Sequence, residues 1–201
     1  MPQAHSEPEH RLAFLRGFLK RPKEVGSVIP SSRFLERRIV KSAELSDARL
    51  VVELGPGTGG TTRALLRNLG PDAKLLAIEI NPHFAKLLAQ HVDDPRLLVY
   101  EGSADDIPNA LAQHSLPAPD VILSGIPFST MTREIGTAIL ESVRDTLSDD
   151  GRFIAYQFRD RVEKLGRKVF GPPSSTPLEL LNVPPMHVYR WDKANFRKRT
   201  Q

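Results

Sequence analysis

Short apolar runs alternate with amphipathic helical patterns from residue 48 onward, and this alternation constrains the fold more than any other feature. Each apolar run is rich in Val, Leu and Ile and stops at turn-forming or polar residues, which predicts a buried strand. The predicted strands are ARLVVELG, AKLLAIEI, PRLLVYEGSA, PDVILSGIPF and GRFIAYQF. Helical patterns separate them, so we expect an α/β fold with a mostly parallel, doubly wound sheet and helices on both faces. Ligands of such sheets bind beyond the carboxyl ends of the strands.

The composition narrows the chemistry that is available. The chain has 201 residues and is 40% hydrophobic, which suits one domain with a substantial core. It contains no cysteine, so disulfides and thiolate catalysis are excluded. Six scattered histidines lack metal-ligand spacing, and we predict no metal site. We found neither a signal peptide nor an apolar run long enough to span a membrane, and expect an intracellular protein.

Charge is distributed unevenly along the chain. Residues 1–41 carry a net charge of +5, residues 42–151 carry −8, and residues 152–201 carry +7. Basic ends suit a polyanionic partner, which is either a nucleic acid or an anionic membrane surface. The alternative is a solvated surface without a charged partner.

A glycine-rich loop follows the first predicted strand in ELGPGTGG. Gly55, Gly57 and Gly60 formally satisfy the G-x-G-x-x-G pattern of nucleotide-binding turns. Glu79 lies 20 residues beyond Gly59, at the end of the second strand, where an acid binds ribose hydroxyls. Strand, loop, helix and acid together predict a cofactor that contains a nucleoside.

Glu53 discriminates between two kinds of cofactor. A dinucleotide would place its pyrophosphate against this loop, and a carboxylate two residues before Gly55 would repel it. S-adenosylmethionine has no phosphate and carries cationic ammonium and sulfonium groups, which a carboxylate attracts. We therefore predict S-adenosylmethionine; the alternative is that Glu53 is an ordinary acid at the end of a strand.

The third predicted strand ends in EGSADDIP. An acid after a small residue here is suited to accept a hydrogen bond from an adenine amino group, and we assign this role to Asp105, with Ala104 beside the ring. Asp106 is the alternative acid, but Asp at this point often caps the following helix.

The segments VVELGPGTGG, AIEINP, GSADDIP and SGIPF resemble, in order and spacing, the class I S-adenosylmethionine-dependent methyltransferases over about residues 48–160. The resemblance implies a seven-stranded sheet with an antiparallel last strand. It also implies that Glu53 lies near the methionine part and Glu79 on the ribose. The expected cofactor-binding set is Glu53, Gly55, Gly57, Thr58, Gly59, Glu79, Ile80, Ser103, Ala104, Asp105 and Ser124.

The segment SGIPFS indicates the acceptor. In adenine methylases of ribosomal RNA or DNA, an Asn or Asp holds the target amine and an aromatic ring stacks on the base. Aligned on Pro127 and Phe128, this chain has Gly125 in place of the polar side chain. The Ser-Gly-aliphatic-Pro pattern, VGSVIPSS and LLNVPPMHVYRW instead resemble bacterial phospholipid N-methyltransferases that act on phosphatidylethanolamine, a resemblance that covers nearly the whole chain.

This resemblance implies methyl transfer to the amine of phosphatidylethanolamine, in a single step or in successive steps towards phosphatidylcholine. The expected acceptor site consists of Ser124, Gly125, Pro127 and Phe128, with the Phe128 ring as a wall of the head-group pocket. Positioning and desolvation would supply most of the catalysis. Tyr156 and His187 are possible partners in proton transfer, although a structural role is the stronger interpretation of each. The alternatives are an adenine N6-methyltransferase of ribosomal RNA, another small-amine methyltransferase, and a non-catalytic binding protein on the same scaffold.

A basic amphipathic helix is predicted over residues 8–21. Its apolar stripe contains Leu12, Phe14, Leu15, Phe18 and Leu19, and Arg16 and Lys20 lie on the other side. Such a helix can lie in an anionic membrane surface or close over the cofactor as a lid. We expect residues 1–47 to form this lid and membrane-contact segment and residues 48–201 to form the methyltransferase domain. The protein is then a monomer, peripheral on the cytoplasmic face of the membrane, with a phospholipid substrate and no nucleic-acid partner.

Overall fold

A computed structural model describes residues 31–197 of the chain. The helix predicted over residues 8–21, including Leu12, Leu15, Arg16, Phe18, Leu19 and Lys20, lies outside the described residues. The strands are β1 (Leu50–Leu54), β2 (Lys74–Glu79), β3 (Leu97–Glu101), β4 (Val121–Ser124), β5 (Arg152–Gln157), β6 (Leu178–Glu179) and β7 (Met186–Asp192). The helices are α1 (Arg33–Ala43), α2 (Gly60–Leu66), α3 (Pro82–His91), α4 (Ile107–Gln113), α5 (Arg133–Thr146), α6 (Arg161–Val169) and α7 (Lys193–Arg197).

The seven strands form one sheet in the order β3-β2-β1-β4-β5-β7-β6. The first five strands along the chain pair in parallel, and β7 is antiparallel to both β5 and β6. The predicted mostly parallel, seven-stranded sheet is therefore confirmed. The order reverses at β1, where the chain crosses to β4, and this is the point at which doubly wound sheets bind their ligands.

Two apolar layers cover the sheet. One layer packs α1 and α2 against the strand residues that share a face with Val51 and Leu123. The other packs α4, α5 and α6 against the opposite face, which includes Val52 and Ile122. Alternate residues along each strand thus enter opposite layers, as a sheet buried on both faces requires.

Helix α1 lies inside the predicted segment 1–47, but it packs into the same core as the sheet. Its buried side chains Leu35, Ile39 and Ala43 recur at helical spacing and contact the α1/α2 layer. The Ser32 hydroxyl caps the helix by accepting a hydrogen bond from the Leu35 N–H at 3.2 Å. Within residues 31–197, no helix is both long and apolar enough to cross a bilayer.

Candidate active site

The glycine loop connects β1 to α2 at the carboxyl edge of the sheet. Gly55, Gly57 and Gly59 all have positive φ, and Gly59 is the N-cap residue directly before α2. No atom lies within 4 Å of the place that a Cβ on Gly57 would occupy. No side chain therefore covers the backbone of the loop at Gly57, and a ligand can approach the main chain closely there.

Glu53 lies on β1 immediately before this loop and is only 1% exposed. Its Oε2 accepts a hydrogen bond from the Thr62 hydroxyl at 2.6 Å, whereas Oε1 is buried without any partner among the described residues. Burial raises the pKa of Glu53 to about 7, the bond from Thr62 lowers it, and the charge of Glu79 raises it. A buried carboxylate oxygen without a partner is stabilised by a cation or by a hydrogen-bond donor.

Glu79 is the last residue of β2, and its side chain is hydrogen-bonded to the glycine loop. Its two carboxylate oxygens accept hydrogen bonds from the N–H groups of Gly57, at 3.0 Å, and Asn81, at 2.8 Å. Burial raises its pKa, and the backbone hydrogen bonds oppose this shift. Each oxygen retains a lone pair, so Glu79 can still accept a hydrogen bond from a hydroxyl. Ile80, the next residue, is half-buried.

The end of β3 brings Ser103, Ala104 and Asp105 to the same edge, all half-buried. The Ser103 hydroxyl donates to Asp105 Oδ1, which orients the carboxylate. Asp106 stands at the start of α4, but its side chain does not cap the helix. It accepts hydrogen bonds from the Tyr100 hydroxyl and the Asn109 amide instead, so Asp106 has a structural role.

The acceptor segment, residues 125–128, follows Ser124, which is the buried last residue of β4. Gly125, Ile126 and Pro127 are half-buried, and the Gly125 N–H donates to the Leu54 carbonyl at 3.1 Å, which places the segment beside the glycine loop. The described structure thus gathers the residues predicted for both substrates along one edge of the sheet. Thr58, at the tip of the glycine loop, is exposed there.

Phe128 is placed differently from the expectation. Its ring is 0% exposed and belongs to the core layer beneath α5 and α6, so in this structure it is not a wall of a head-group pocket. The short 3₁₀ turn Phe128–Thr130 directs the ring inwards, because burial of a large aromatic side chain is strongly favourable. Phe128 therefore supports the acceptor segment from below.

Three residues that form hydrogen bonds at this edge of the sheet were not singled out from the sequence. Thr62 holds Glu53, as described above. Gln157, at the end of β5, donates from Nε2 to the Ile126 carbonyl at 2.7 Å and accepts at Oε1 from the Phe128 N–H at 3.3 Å. Thr61 has its hydroxyl 3.3 Å from that of Tyr156. Among these, only Gln157 carried a sequence signal, since it is a polar residue at the end of a predicted buried strand; nothing in the sequence distinguished the two threonines.

Tyr156 and His187 lie on different faces of the sheet. Tyr156 packs against the α1/α2 layer, whereas His187 pairs with Gln157 and stacks on Tyr189 with ring centroids 5.6 Å apart. Of the two, Tyr156 alone shares a face with Glu53 and Thr61. Residues 31–197 hold no group of three or more side chains suited to bind a metal ion.

Several known proteins resemble this chain in sequence or in fold. The family described as ribosomal RNA adenine dimethylase matches residues 20–115. An ornithine lipid N-methyltransferase of Singulisphaera acidiphila is 29% identical over 177 residues, which cover 88% of this chain and 92% of that protein. A 1,6-didemethyltoxoflavin-N1-methyltransferase of Burkholderia thailandensis, solved with S-adenosylhomocysteine, superimposes with a TM-score of 0.67 at 16% identity, covering 96% of this chain and 93% of the other. The chain is a class I S-adenosylmethionine-dependent methyltransferase.

The methyltransferase is related to the ribosomal RNA adenine dimethylases, but it matches only part of them. Ribosomal RNA small subunit methyltransferase A of Caulobacter vibrioides is 36% identical over 99 residues. That stretch covers 48% of this chain and 36% of the relative, so the chain spans about a third of that protein's length.

The cofactor of the methyltransferase is S-adenosylmethionine, and the residues at the sheet edge fit it. The unpartnered, buried Oε1 of Glu53 suits its cationic methionine part, Glu79 suits the ribose hydroxyls, and Asp105 suits the adenine amino group. When bound, the cofactor supplies an electrophilic methyl group. What a protein contributes to such a transfer is the positioning of the two reactants and the removal of water from between them.

Proposed function

We infer that the methyltransferase methylates the primary amine of a membrane aminolipid, with phosphatidylethanolamine as the acceptor and phosphatidylcholine as the end product of successive transfers. It acts as a peripheral protein on the cytoplasmic face of the membrane. The observation that carries this proposal is a set of exposed large apolar side chains at and just beyond the carboxyl ends of β5 and β6.

This surface, the apolar edge, is formed by Phe158, Leu178, Leu180, Leu181 and Val183. They are the large apolar side chains of residues 31–197 that stay exposed, and Val183 reaches 84% exposure. Phe158 follows the end of β5 directly, and residues 180–183 follow the end of β6. Large apolar residues that stay exposed at the edge of the sheet where ligands bind favour contact with a lipid phase.

Positive charge borders the apolar edge. The Asn182 side chain accepts a hydrogen bond from the Ser32 N–H at 2.9 Å, so the start of α1 lies against the loop that carries the edge. Arg33 and Arg37 on α1 are exposed, as is Arg159 beside Phe158. Apolar side chains flanked by arginines match the acyl region and the anionic head groups of a bilayer.

The acceptor segment favours a slim amine over a nucleobase. Gly125 has no side chain with which to hold a base, and the Phe128 ring is fully buried and has no surface on which a base could stack. The similarity to an ornithine lipid N-methyltransferase also extends over most of both chains. Ornithine lipid is thus a second candidate acceptor, since it too presents a primary amine at a membrane surface.

The test uses the full chain, S-adenosylmethionine with a labelled methyl group, and anionic vesicles. Separate reactions contain phosphatidylethanolamine, ornithine lipid, or ribosomal RNA without vesicles. We expect label in phosphatidylethanolamine and none with the Glu53→Ala variant. Label confined to ornithine lipid would change the acceptor but keep the aminolipid class, whereas label confined to RNA would reject the proposal.

A further inference from the structure

The space beside Gly125 is filled by a side chain from the neighbouring strand. A Cβ on Gly125 would lie 2.2 Å from the hydroxyl oxygen of Tyr156 and 2.8 Å from its Cζ, both far inside van der Waals contact. Ser124 pairs with Ala155 in the parallel β4–β5 ladder, so Gly125 and Tyr156 continue the same register. The tyrosine hydroxyl therefore stands where a polar side chain at position 125 would begin.

Other contacts hold this hydroxyl in place. The hydroxyl oxygens of Tyr156 and Thr61 are 3.3 Å apart, within hydrogen-bonding distance. Thr61 is buried at the start of α2, one residue before the threonine that holds Glu53. The hydroxyl is thereby fixed between the acceptor segment and the wall of the cofactor site.

The chemical state of Tyr156 limits what it can do. Burial and the negative charge of Glu53 raise its pKa well above the ordinary value, so the phenol stays protonated at neutral pH. A neutral phenol is a poor base, but it can donate one hydrogen bond and accept others. It can therefore orient an amine, and it cannot remove the proton from an ammonium group.

We propose that Tyr156 is the residue that positions the acceptor amine, replacing from β5 the polar side chain that is missing at Gly125. This inference rests on the proposed function, since it requires an amine acceptor. The amine N–H donates to the Tyr156 oxygen, and the nitrogen lone pair then points towards the methyl group.

In the transfer, the N–C bond forms as the C–S bond breaks, and the bonding electron pair stays on sulfur. The product ammonium afterwards loses its proton to solvent. Tyr156 takes no proton at any stage, and its contribution is orientation.

Tyr156→Phe tests the inference because it removes one oxygen atom and keeps the ring beside Gly125. Misplacement of a reacting group costs about 100-fold in rate, so we expect kcat to fall by 10- to 100-fold. The dissociation constant for S-adenosylmethionine, measured by calorimetry, should change by less than about twofold, since no bond to Glu53 or Glu79 is lost. The pH at which kcat/KM rises should stay the same because Tyr156 is not the base. An unchanged kcat, or loss of a pH-dependent limb, would overturn the proposal.

Gly125→Ala tests the same contact by changing the residue after β4 instead of the tyrosine on β5. The added Cβ must displace the Tyr156 hydroxyl, so the variant should lose as much kcat as Tyr156→Phe. The double variant should lose little more than either single one, because all three have lost the same oriented hydroxyl. Losses that multiply would contradict the shared role.

Folding and substrate are checked separately. Circular dichroism and thermal melting show whether each variant is folded, and calorimetric cofactor binding gives a second measure. A wild-type protein inactive on every aminolipid would overturn the proposed function together with this inference. An active wild type with an equally active Tyr156→Phe variant would overturn this inference alone.

Discussion

The Thr62 hydroxyl donates to one carboxylate oxygen of Glu53 at 2.6 Å and leaves the other buried oxygen without a partner among the described residues. Glu53 lies on β1 and Thr62 is the third residue of α2, so this bond joins the strand before the glycine loop to the helix after it. Because the pKa of Glu53 is raised to about 7, a cationic ligand and a proton compete for this carboxylate near neutral pH.

Cofactor affinity should therefore depend on pH. A cation favours the ionised form of Glu53, so binding releases a proton below pH 7. We expect the affinity for S-adenosylmethionine to rise by up to about tenfold per pH unit towards pH 7 and to level off above it. Titration calorimetry between pH 5.5 and 8, in about six buffers of different ionisation enthalpy, measures the affinity and the number of protons released on binding. Glu53→Gln should bind more weakly with little pH dependence, and a wild-type affinity that is flat in this range would refute the assignment.

Stability without cofactor should change in the opposite sense. The folded pKa of Glu53 lies above the ordinary value of 4.5, so the folded state holds its proton more tightly than the unfolded state. The stabilisation is complete below about pH 4.5 and is lost as the pH rises to about 7, and Glu79 shifts in the same direction. We expect the free energy of unfolding attributable to Glu53 to fall by about 3 kcal/mol over this range, at 1.36 kcal/mol per pKa unit. Denaturant unfolding of wild type and Glu53→Gln isolates this contribution, and parallel pH curves would contradict it.

The sequence predicted the parts of this site that are local in the chain. The glycine loop, Glu53 and Glu79 each follow a predicted strand directly, so their placement needs only the strand ends. Thr61, Tyr156 and Gln157 meet the loop and the acceptor segment through the packing of α2 and the pairing of β4 with β5. Those contacts depend on register between distant segments, which hydrophobic periodicity does not contain.

The surroundings of Gly125 and Phe128 could not be predicted from the sequence for the same reason. The sequence shows that position 125 has no side chain, but it does not show that Tyr156 occupies the space beside it. The Phe128 ring was expected at the surface of the site and lies in the core, because the sequence does not reveal to which side a turn directs its apolar residue. Both cases require knowledge of neighbouring strands.

Loss of the Gln157 side chain should loosen the acceptor segment. Gln157→Leu removes the bonds to the Ile126 carbonyl and the Phe128 N–H, and we expect a cost of about 1–3 kcal/mol in stability together with a lower kcat. Cofactor affinity should be retained, since Gln157 does not contact the glycine loop. Gln113→Leu, at an exposed position on α4, is the matched control. Full activity in Gln157→Leu would exclude the anchoring role.

Phe128 should behave as a core residue. Phe128→Ala should reduce the free energy of unfolding by about 3–5 kcal/mol, as for other buried aromatic rings. Phe158→Ala removes a ring that is 56% exposed and should cost much less. Urea titration compares the two variants. Equal small effects would place Phe128 at the surface, where stacking on a base becomes feasible.

The apolar edge should be needed for membrane binding and not for methyl transfer itself. Replacing Leu180, Leu181 and Val183 together by Ser should weaken binding to anionic vesicles in a sedimentation assay, because their exposed area no longer gains from burial in lipid. Activity on vesicles should fall in parallel. Activity on a short-chain aminolipid dissolved below its micelle concentration should persist. Unchanged vesicle binding would reject the surface.

Helix α1 contacts both the surroundings of the apolar edge and the end of α2. Arg38 is paired with Glu179 at 2.7 Å beside the apolar edge, and Glu36 on the same helix pairs with Arg67 at 3.4 Å, just beyond the end of α2. Helix α1 is thus joined by ion pairs both to the strand next to the apolar edge and to the end of the helix that carries Thr62. Thermodynamic linkage then requires symmetry: whatever factor a bilayer adds to cofactor affinity, the cofactor must return to the affinity for the bilayer. An enzyme built in this way would reach the membrane already loaded, or load once it has arrived, at the same total free energy.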